Sequence, residues 1–89
     1  MHEFDLRNEI PDEATTIEIY AMVKPARGSI EVRRCQNDDQ PIVLSTGART
    51  TIGVPTGRKL YISISPFTEE FKLFVRGWFQ DRSEQQCDD

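Results

Sequence analysis

Residues 15–24 read TTIEIYAMVK, and this stretch decides the fold. Its small and branched apolar side chains stand at every second position: Ile17, Ile19, Ala21 and Val23. A period of two puts successive side chains on opposite faces of an extended strand. The stretch therefore predicts a β-strand with one face against a core and the other face outside.

The same period continues along the chain as far as residue 79. Turn-forming Gly, Pro, Asn and Asp residues separate the alternating segments, as expected for short connections between strands. Aromatic and β-branched residues favour a strand over a helix for the last segment too. The further segments are SIEVRRC (29–35), PIVLST (41–46), RTTIGVP (49–55), LYISIS (60–65) and FKLFVRGWF (71–79). This pattern predicts an all-β protein, a small antiparallel β-sandwich or barrel of about six strands.

Charge divides the chain of 89 residues into three regions, although its net charge is only −4. Residues 1–13 have five acidic residues and one basic residue, and residues 80–89 have four acidic residues and one basic residue. Residues 14–79 have nine basic and six acidic residues, a net charge of +3. We interpret these regions as a flexible acidic N-terminal arm, a β-sandwich domain and a disordered acidic C-terminal tail, because the last ten residues include no large apolar side chain.

The N-terminal arm carries three apolar side chains among its acidic residues, Phe4, Leu6 and Ile10. It is either a frayed end or a segment that docks on a neighbouring molecule. Five basic residues of the middle region would attract it if they cluster: Arg33, Arg34, Arg49, Arg58 and Lys59. One hypothesis is that the arm of one copy lies over the basic sandwich of the next copy. The other interpretation is that these bases only solubilise turns and strand edges.

Few residues are available for metal or nucleophilic chemistry. The chain has one histidine, His2, and two cysteines, Cys35 and Cys87, whereas a structural zinc site needs four ligands. The acidic start, interrupted by Pro11, does not resemble a secretory signal, so we expect reducing conditions and two free thiols. We expect no metal and no cofactor.

Catalysis also lacks support in the sequence. The paired carboxylates Asp38–Asp39 and Glu69–Glu70 lie in predicted turns, where solvated charge is the simpler interpretation. The only histidine, His2, lies in the predicted flexible arm, so no nucleophile–base pair is indicated. We therefore expect a protein that is not an enzyme.

The last predicted strand offers a candidate interaction surface. Its outward row would be Lys72, Phe74, Arg76 and Trp78, to which Tyr20 and Tyr61 could add. Trp, Tyr and Arg are common among residues that dominate interface energies, and aromatic residues interleaved with bases also suit single-stranded nucleic acid. The alternative is that this face is covered by the arm or by another strand.

The order TTIGVPTGRKLYISIS (50–65) followed by FKLFVRGW (71–78) resembles small β-sandwich virion proteins of tailed bacteriophages, such as capsid decoration and head–tail accessory proteins. The resemblance covers about a third of the chain. It implies an enzymatically inert protein that binds a capsid or another virion protein in many copies. It carries over no individual binding residue.

We therefore expect a non-enzymatic structural or interaction protein that binds and stabilises a capsid or other large assembly, in the virion or otherwise in the cytoplasm. It would be a homo-oligomer or act in multiple copies, without a membrane partner. Nucleic-acid binding by a small β-barrel is the first alternative. An acidic DNA mimic is the second, but mimicry needs acidic residues on an ordered face, whereas here they lie in the two ends of the chain. The candidate interaction residues are Phe4, Leu6, Ile10, Tyr61, Phe74, Arg76 and Trp78.

Overall fold

The computed structural model describes residues 1–80. These residues form seven β-strands and no helix, one strand more than the sequence predicts. The strands are β1 (His2–Asp5), β2 (Thr16–Lys24), β3 (Ser29–Arg33), β4 (Ile42–Ser45), β5 (Arg49–Gly53), β6 (Lys59–Ile64) and β7 (Glu70–Phe79).

Two antiparallel sheets make up the fold. One has four strands in the order β1-β6-β3-β4, and the other has three strands in the order β5-β2-β7. No ladder among the described residues joins the two sheets into a closed barrel. The all-β prediction is confirmed, and of its two architectures the sandwich is the one that forms.

The core lies between the two sheets and follows the period of two. All four apolar side chains of the inner row of β2, from Ile17 to Val23, are buried. Leu60 and Ile62 of β6 face them and are also buried. Because each strand buries alternate residues, the outer face of each sheet is left for polar, charged and functional side chains.

The N-terminal segment differs from the prediction of a separate arm. Strand β1 pairs with β6, which places Phe4 opposite Leu60, and Leu6 directly after it is 0% exposed. Ile10 also belongs to the core cluster. Leu6 and Ile10 are therefore core residues, and Phe4 is half-buried against the same core, so the three side chains pack within their own sandwich and do not form a separate docking arm.

The acidic segment also contacts basic residues of its own chain. Lys59 Nζ lies 3.3 Å from a carboxylate oxygen of Glu3, and Arg58 Nη2 donates a 2.8 Å hydrogen bond to the Pro11 carbonyl. Lys59 and Arg58, two of the five bases that one hypothesis assigned to a neighbouring copy's arm, thus contact the N-terminal segment of their own molecule.

The C-terminal predictions lie outside the described residues. Residues 81–89 include Cys87 and most of the predicted acidic tail, so neither the tail nor the state of Cys87 is described. Cys35 is buried at the end of β3, with a free thiol.

Two side chains of β6 depart from simple alternation. Tyr61, predicted to point outward as an exposed residue, is only 9% exposed. It lies in register between Glu3 on one neighbouring strand and Arg33 on the other, and long side chains of this kind can cover an aromatic ring. Ile64, predicted to be inward, is exposed at the end of the strand.

Candidate functional site: the outer face of the three-stranded sheet

A β-bulge in β7 determines which side chains reach the outer face of this sheet. Ile19 of β2 pairs with Val75, but Glu18, its neighbour, pairs with Gly77. Arg76 is the extra residue on β7. A single inserted residue reverses the inward and outward phase of everything beyond it.

The bulge corrects the predicted outward row at its far end. Trp78 pairs with the buried Ile17, so it lies on the core side of the sheet, where it is still 42% exposed near the end of the sandwich. Phe79 pairs with Thr16 and takes the outer side, 50% exposed. Directly paired residues of antiparallel strands share a face, which fixes both assignments.

The outer face combines apolar and aromatic side chains from two strands. Tyr20 lies opposite Phe74, with their ring centroids 6.0 Å apart, and Met22 is the next outward residue of β2. Phe74 is 42% exposed, and Met22 is similarly exposed. The Arg76 guanidinium lies 5.7 Å from the centre of the Tyr20 ring, within the range of a cation–π interaction.

The bases of this face are not neutralised by the rest of the described chain. Arg49, opposite Tyr20 on β5, forms no ion pair with a described residue, and the same is true of Lys72 and Arg76 on β7. Lys24 Nζ lies 3.4 Å from a Glu70 carboxylate oxygen, and the opposite charges of this exposed pair cancel. With Glu18 as the remaining acid, the face has a net charge of +2.

The bases elsewhere in residues 1–80 mostly have carboxylate partners. The pairs are Arg7–Asp5 at 2.7 Å, Arg33–Glu31 at 3.2 Å, Arg34–Asp38 at 3.2 Å and Lys59–Glu3 at 3.3 Å. In the first of these, the side-chain hydrogen bond from Arg7 lowers the pKa of Asp5 to about 2. Arg27, which lies over the Phe67 ring, and Arg58, which donates to the Pro11 carbonyl, also lack a carboxylate partner. Of the five bases in residues 1–80 without such a partner, three therefore lie on the outer face of the three-stranded sheet: Arg49, Lys72 and Arg76.

Asp38 has a structural role and not the solvated position that we expected. It is buried, and it accepts hydrogen bonds from the backbone N–H groups of Arg34 and Gln40 and from Arg34 Nε. Burial raises the pKa of this carboxyl, but the three hydrogen bonds outweigh burial, so the pKa lies below its usual value. Asp38 thus fixes the loop between β3 and β4, whereas Asp39 is exposed.

A shallow groove adjoins the aromatic pair. It has a volume of about 200 Å³ and lies where the last residues of β2 pair with the first residues of β7, between Met22, Phe74 and the Lys24–Glu70 pair. At the same end of β7, the His2 ring meets Phe71 edge-on at 5.3 Å. In residues 1–80, no three His, Cys, Asp or Glu side chains come close enough to hold a metal ion.

The predicted site residues therefore separate into four places. Phe74 and Arg76 lie on the outer face, Trp78 lies at the end of the core side, and Tyr61 is buried on the other sheet. Leu6 and Ile10 lie in the core, with Phe4 packed against it. The predicted interaction row omits Met22, Arg49 and Phe79. Alternation along β2 places Met22 outward, whereas Arg49 and Phe79 reach the face through the pairing of β5 and β7 with β2.

Comparisons with known proteins found no matching family model, no matching curated protein and no matching solved structure. The part of the chain that the structure describes contains no helix long and apolar enough to cross a membrane.

Proposed function

We propose that the protein is a non-enzymatic interaction protein whose outer β5-β2-β7 face binds an acidic protein surface that also carries apolar groups. The observation that carries this proposal is the coincidence of exposed aromatic side chains and unpaired bases on one face. Three bases there, Arg49, Lys72 and Arg76, lack carboxylate partners in the described chain, whereas the strand bases of the other sheet, Arg33 and Lys59, are each ion-paired.

The physical basis is the usual composition of interface centres. Tyr20 and Phe74 offer rigid apolar area at a low entropic cost, and Arg76 is already held over an aromatic ring. Arg49 and Lys72 lie at the rim, where positive charge speeds the encounter with an acidic partner and orients it. Binding would thus combine a small apolar centre with electrostatic steering.

The finer proposal is a virion accessory protein that adheres to a capsid or another virion protein. It rests on the resemblance of residues 50–78 to small phage β-sandwich proteins. A modest contact repeated over many copies would be sufficient, because multivalent attachment multiplies weak affinities. The protein would then be assembled into particles in the host cytoplasm.

Mass spectrometry of particles purified from the source that encodes this chain tests the finer proposal. We expect the chain to be enriched in particles over the soluble lysate, in stoichiometric proportion to a shell protein. Its absence from particles would contradict the virion assignment, but the proposal of an acidic protein partner would stand and be tested separately.

Binding to single-stranded nucleic acid is a second candidate, because the Tyr20–Phe74 pair with Arg76 is a stacking surface beside a base. Fluorescence anisotropy with a labelled oligothymidine discriminates the two. A nucleic-acid binder should lose affinity linearly with the logarithm of salt concentration. We expect no saturable binding of the oligonucleotide at physiological salt, and a steep salt-dependent isotherm would favour this second candidate.

A further inference from the structure

Strand β7 is an open edge of the three-stranded sheet. It has ten residues, and within residues 1–80 it pairs only with β2. An open edge presents unpaired backbone N–H and C=O groups, which favour pairing with another strand. Of its apolar side chains, Phe74 is 42% exposed, Phe71 and Val75 are half-buried, and Leu73 is buried.

We propose that two copies of this chain pair through β7 in an antiparallel register centred on Leu73. The two three-stranded sheets would then join into one continuous six-stranded sheet with a two-fold axis. This pairing uses the edge of β7 and goes beyond the proposed function, which uses the outer face.

The pattern of side chains on β7 selects this register. Outward residues must lie opposite outward residues, so the two-fold axis must pass through a residue of Glu70–Arg76, the part whose side chains alternate between the two faces up to and including the bulge residue Arg76. An axis at Leu73 pairs all seven residues of that part. Axes at Phe71 or Val75 pair only three of them.

Charge excludes the two intermediate registers. An axis at Lys72 places this residue opposite its own copy, and an axis at Phe74 places Lys72 opposite Arg76. Like charges directly opposite each other destabilise an antiparallel pair. The register centred on Leu73 instead places Glu70 opposite Arg76 twice, once on each side of the axis.

The remaining pairs of this register are also complementary. On the outer side, Lys72 lies opposite Phe74 of the second copy, a cation beside an aromatic ring. On the core side, Phe71 lies opposite Val75 of the second copy. Both side chains are half-buried in a single copy, so pairing would bury more of their apolar surface. The contact is isologous, so it closes after two copies and does not propagate.

Charge reversal and its compensation test this pairing, with sedimentation equilibrium of the full chain over about a hundredfold range of concentration as the readout. Arg76→Glu and Glu70→Arg should each weaken the dimer by about tenfold or more, because two attractive pairs become repulsive. The double variant E70R/R76E should restore the wild-type dimerisation constant. Arg49→Glu is the matched control, since it makes the same charge change on β5 and should leave the constant unchanged.

Disulfide cross-linking tests the register itself. Lys72→Cys and Phe74→Cys, each made in a Cys87→Ser chain, are mixed in equal amounts and oxidised. We expect the mixed 72–74 disulfide to be more abundant than either symmetric disulfide, 72–72 or 74–74, because positions 72 and 74 lie directly opposite each other. A chain that stays monomeric throughout the concentration range would overturn the proposal, and so would a statistical mixture of the three disulfides.

Discussion

At the scale of single residues, the turn after β2 depends on the Thr68 hydroxyl, which several hydrogen bonds hold in place. The backbone N–H of Ser29 donates to Thr68 Oγ1 at 3.0 Å, and the same hydroxyl donates to the Ser29 carbonyl at 2.9 Å. It also lies 2.8 Å from Ser65 Oγ. The backbone of Gly28 passes directly beside it, so this position has no room for a side chain.

Gly28→Ala should therefore destabilise the protein. An added Cβ would lie 2.5 Å from Thr68 Oγ1 and 3.1 Å from a Val23 methyl group, and the hydroxyl cannot move without losing its partners. We expect a loss of about 1–3 kcal/mol in the free energy of unfolding, measured by urea denaturation. Gly77→Ala is the control, because a Cβ there meets nothing within 4 Å. Equal stability of the two variants would contradict this account of the turn.

Asp38 should give the protein part of its acid sensitivity. Its pKa is lowered from 3.8 in the folded state, so the stability it contributes is fully present above that value and is lost as the pH falls through the lower folded-state pKa. Asp38→Asn should cost about 1–3 kcal/mol at pH 7. The difference from the wild type should narrow below the ordinary pKa of Asp.

Urea denaturation of both proteins across this pH range measures the effect, with the exposed neighbour substitution Asp39→Asn as the control. A stability difference for Asp38→Asn that is as large in strong acid as at pH 7 would show that the negative charge is not what stabilises this loop.

At the scale of strands, the alternation of small apolar residues is sufficient to predict the inner rows of β2 and β3, whereas in β6 it places Leu60 and Ile62 correctly and Ile64 wrongly. Burial against the opposite sheet is a local requirement on each strand, so it leaves a local pattern. The bulge at Arg76 leaves no such pattern in the sequence, because it exists only in the pairing of β7 with β2. Alternation alone therefore predicts Trp78 outward and Phe79 inward, the reverse of their faces in the structure.

The first strand escaped prediction for a related reason. The segment around Phe4 is short and acidic, and its partner β6 begins at Lys59, far along the chain. Its register with β6 cannot be read from its own residues. The apolar spacing that suggested a docking arm reflects burial in the same molecule.

Leu6→Ala tests whether the N-terminal segment belongs to the folded unit. Leu6 is 0% exposed, so removing three carbons should leave a cavity and cost about 2–5 kcal/mol. Thermal unfolding followed by circular dichroism measures this loss. Val43→Ala, at an exposed position of β4, is the control and should change stability little. A Leu6→Ala protein as stable as the wild type would restore the interpretation of a separate arm.

At the scale of the whole molecule, the two sheets have different electrostatic roles. The four-stranded sheet pairs Glu31 with Arg33 and Glu3 with Lys59, whereas the three-stranded sheet leaves Arg49, Lys72 and Arg76 unpaired within the described residues. The net charge of −4 therefore hides one cationic, aromatic face. Interaction at this face should be separable from folding, because its side chains contribute little to the core.

Phe74→Ala combined with Arg49→Glu should weaken partner binding while preserving the fold. Both side chains are exposed, so we expect the melting temperature to change by only a few degrees, on the order of 1 kcal/mol. Retention on particles purified from the source of the chain should fall by about tenfold or more. Phe74 belongs to the proposed β7 pairing and Arg49 does not. A loss of retention by Arg49→Glu alone, with an unchanged dimerisation constant in sedimentation equilibrium, therefore separates a binding defect from a dimerisation defect.

The most direct test of the account maps the binding surface in solution. The isotopically labelled full chain is titrated with purified particles from its source, and the loss of amide signal is followed residue by residue by NMR. We expect the earliest losses at the outward residues of β2, β5 and β7, including Tyr20, Phe74 and Arg49. No loss at any particle concentration would contradict the virion assignment, and losses confined to the four-stranded sheet would contradict the assignment of this face as the interaction surface.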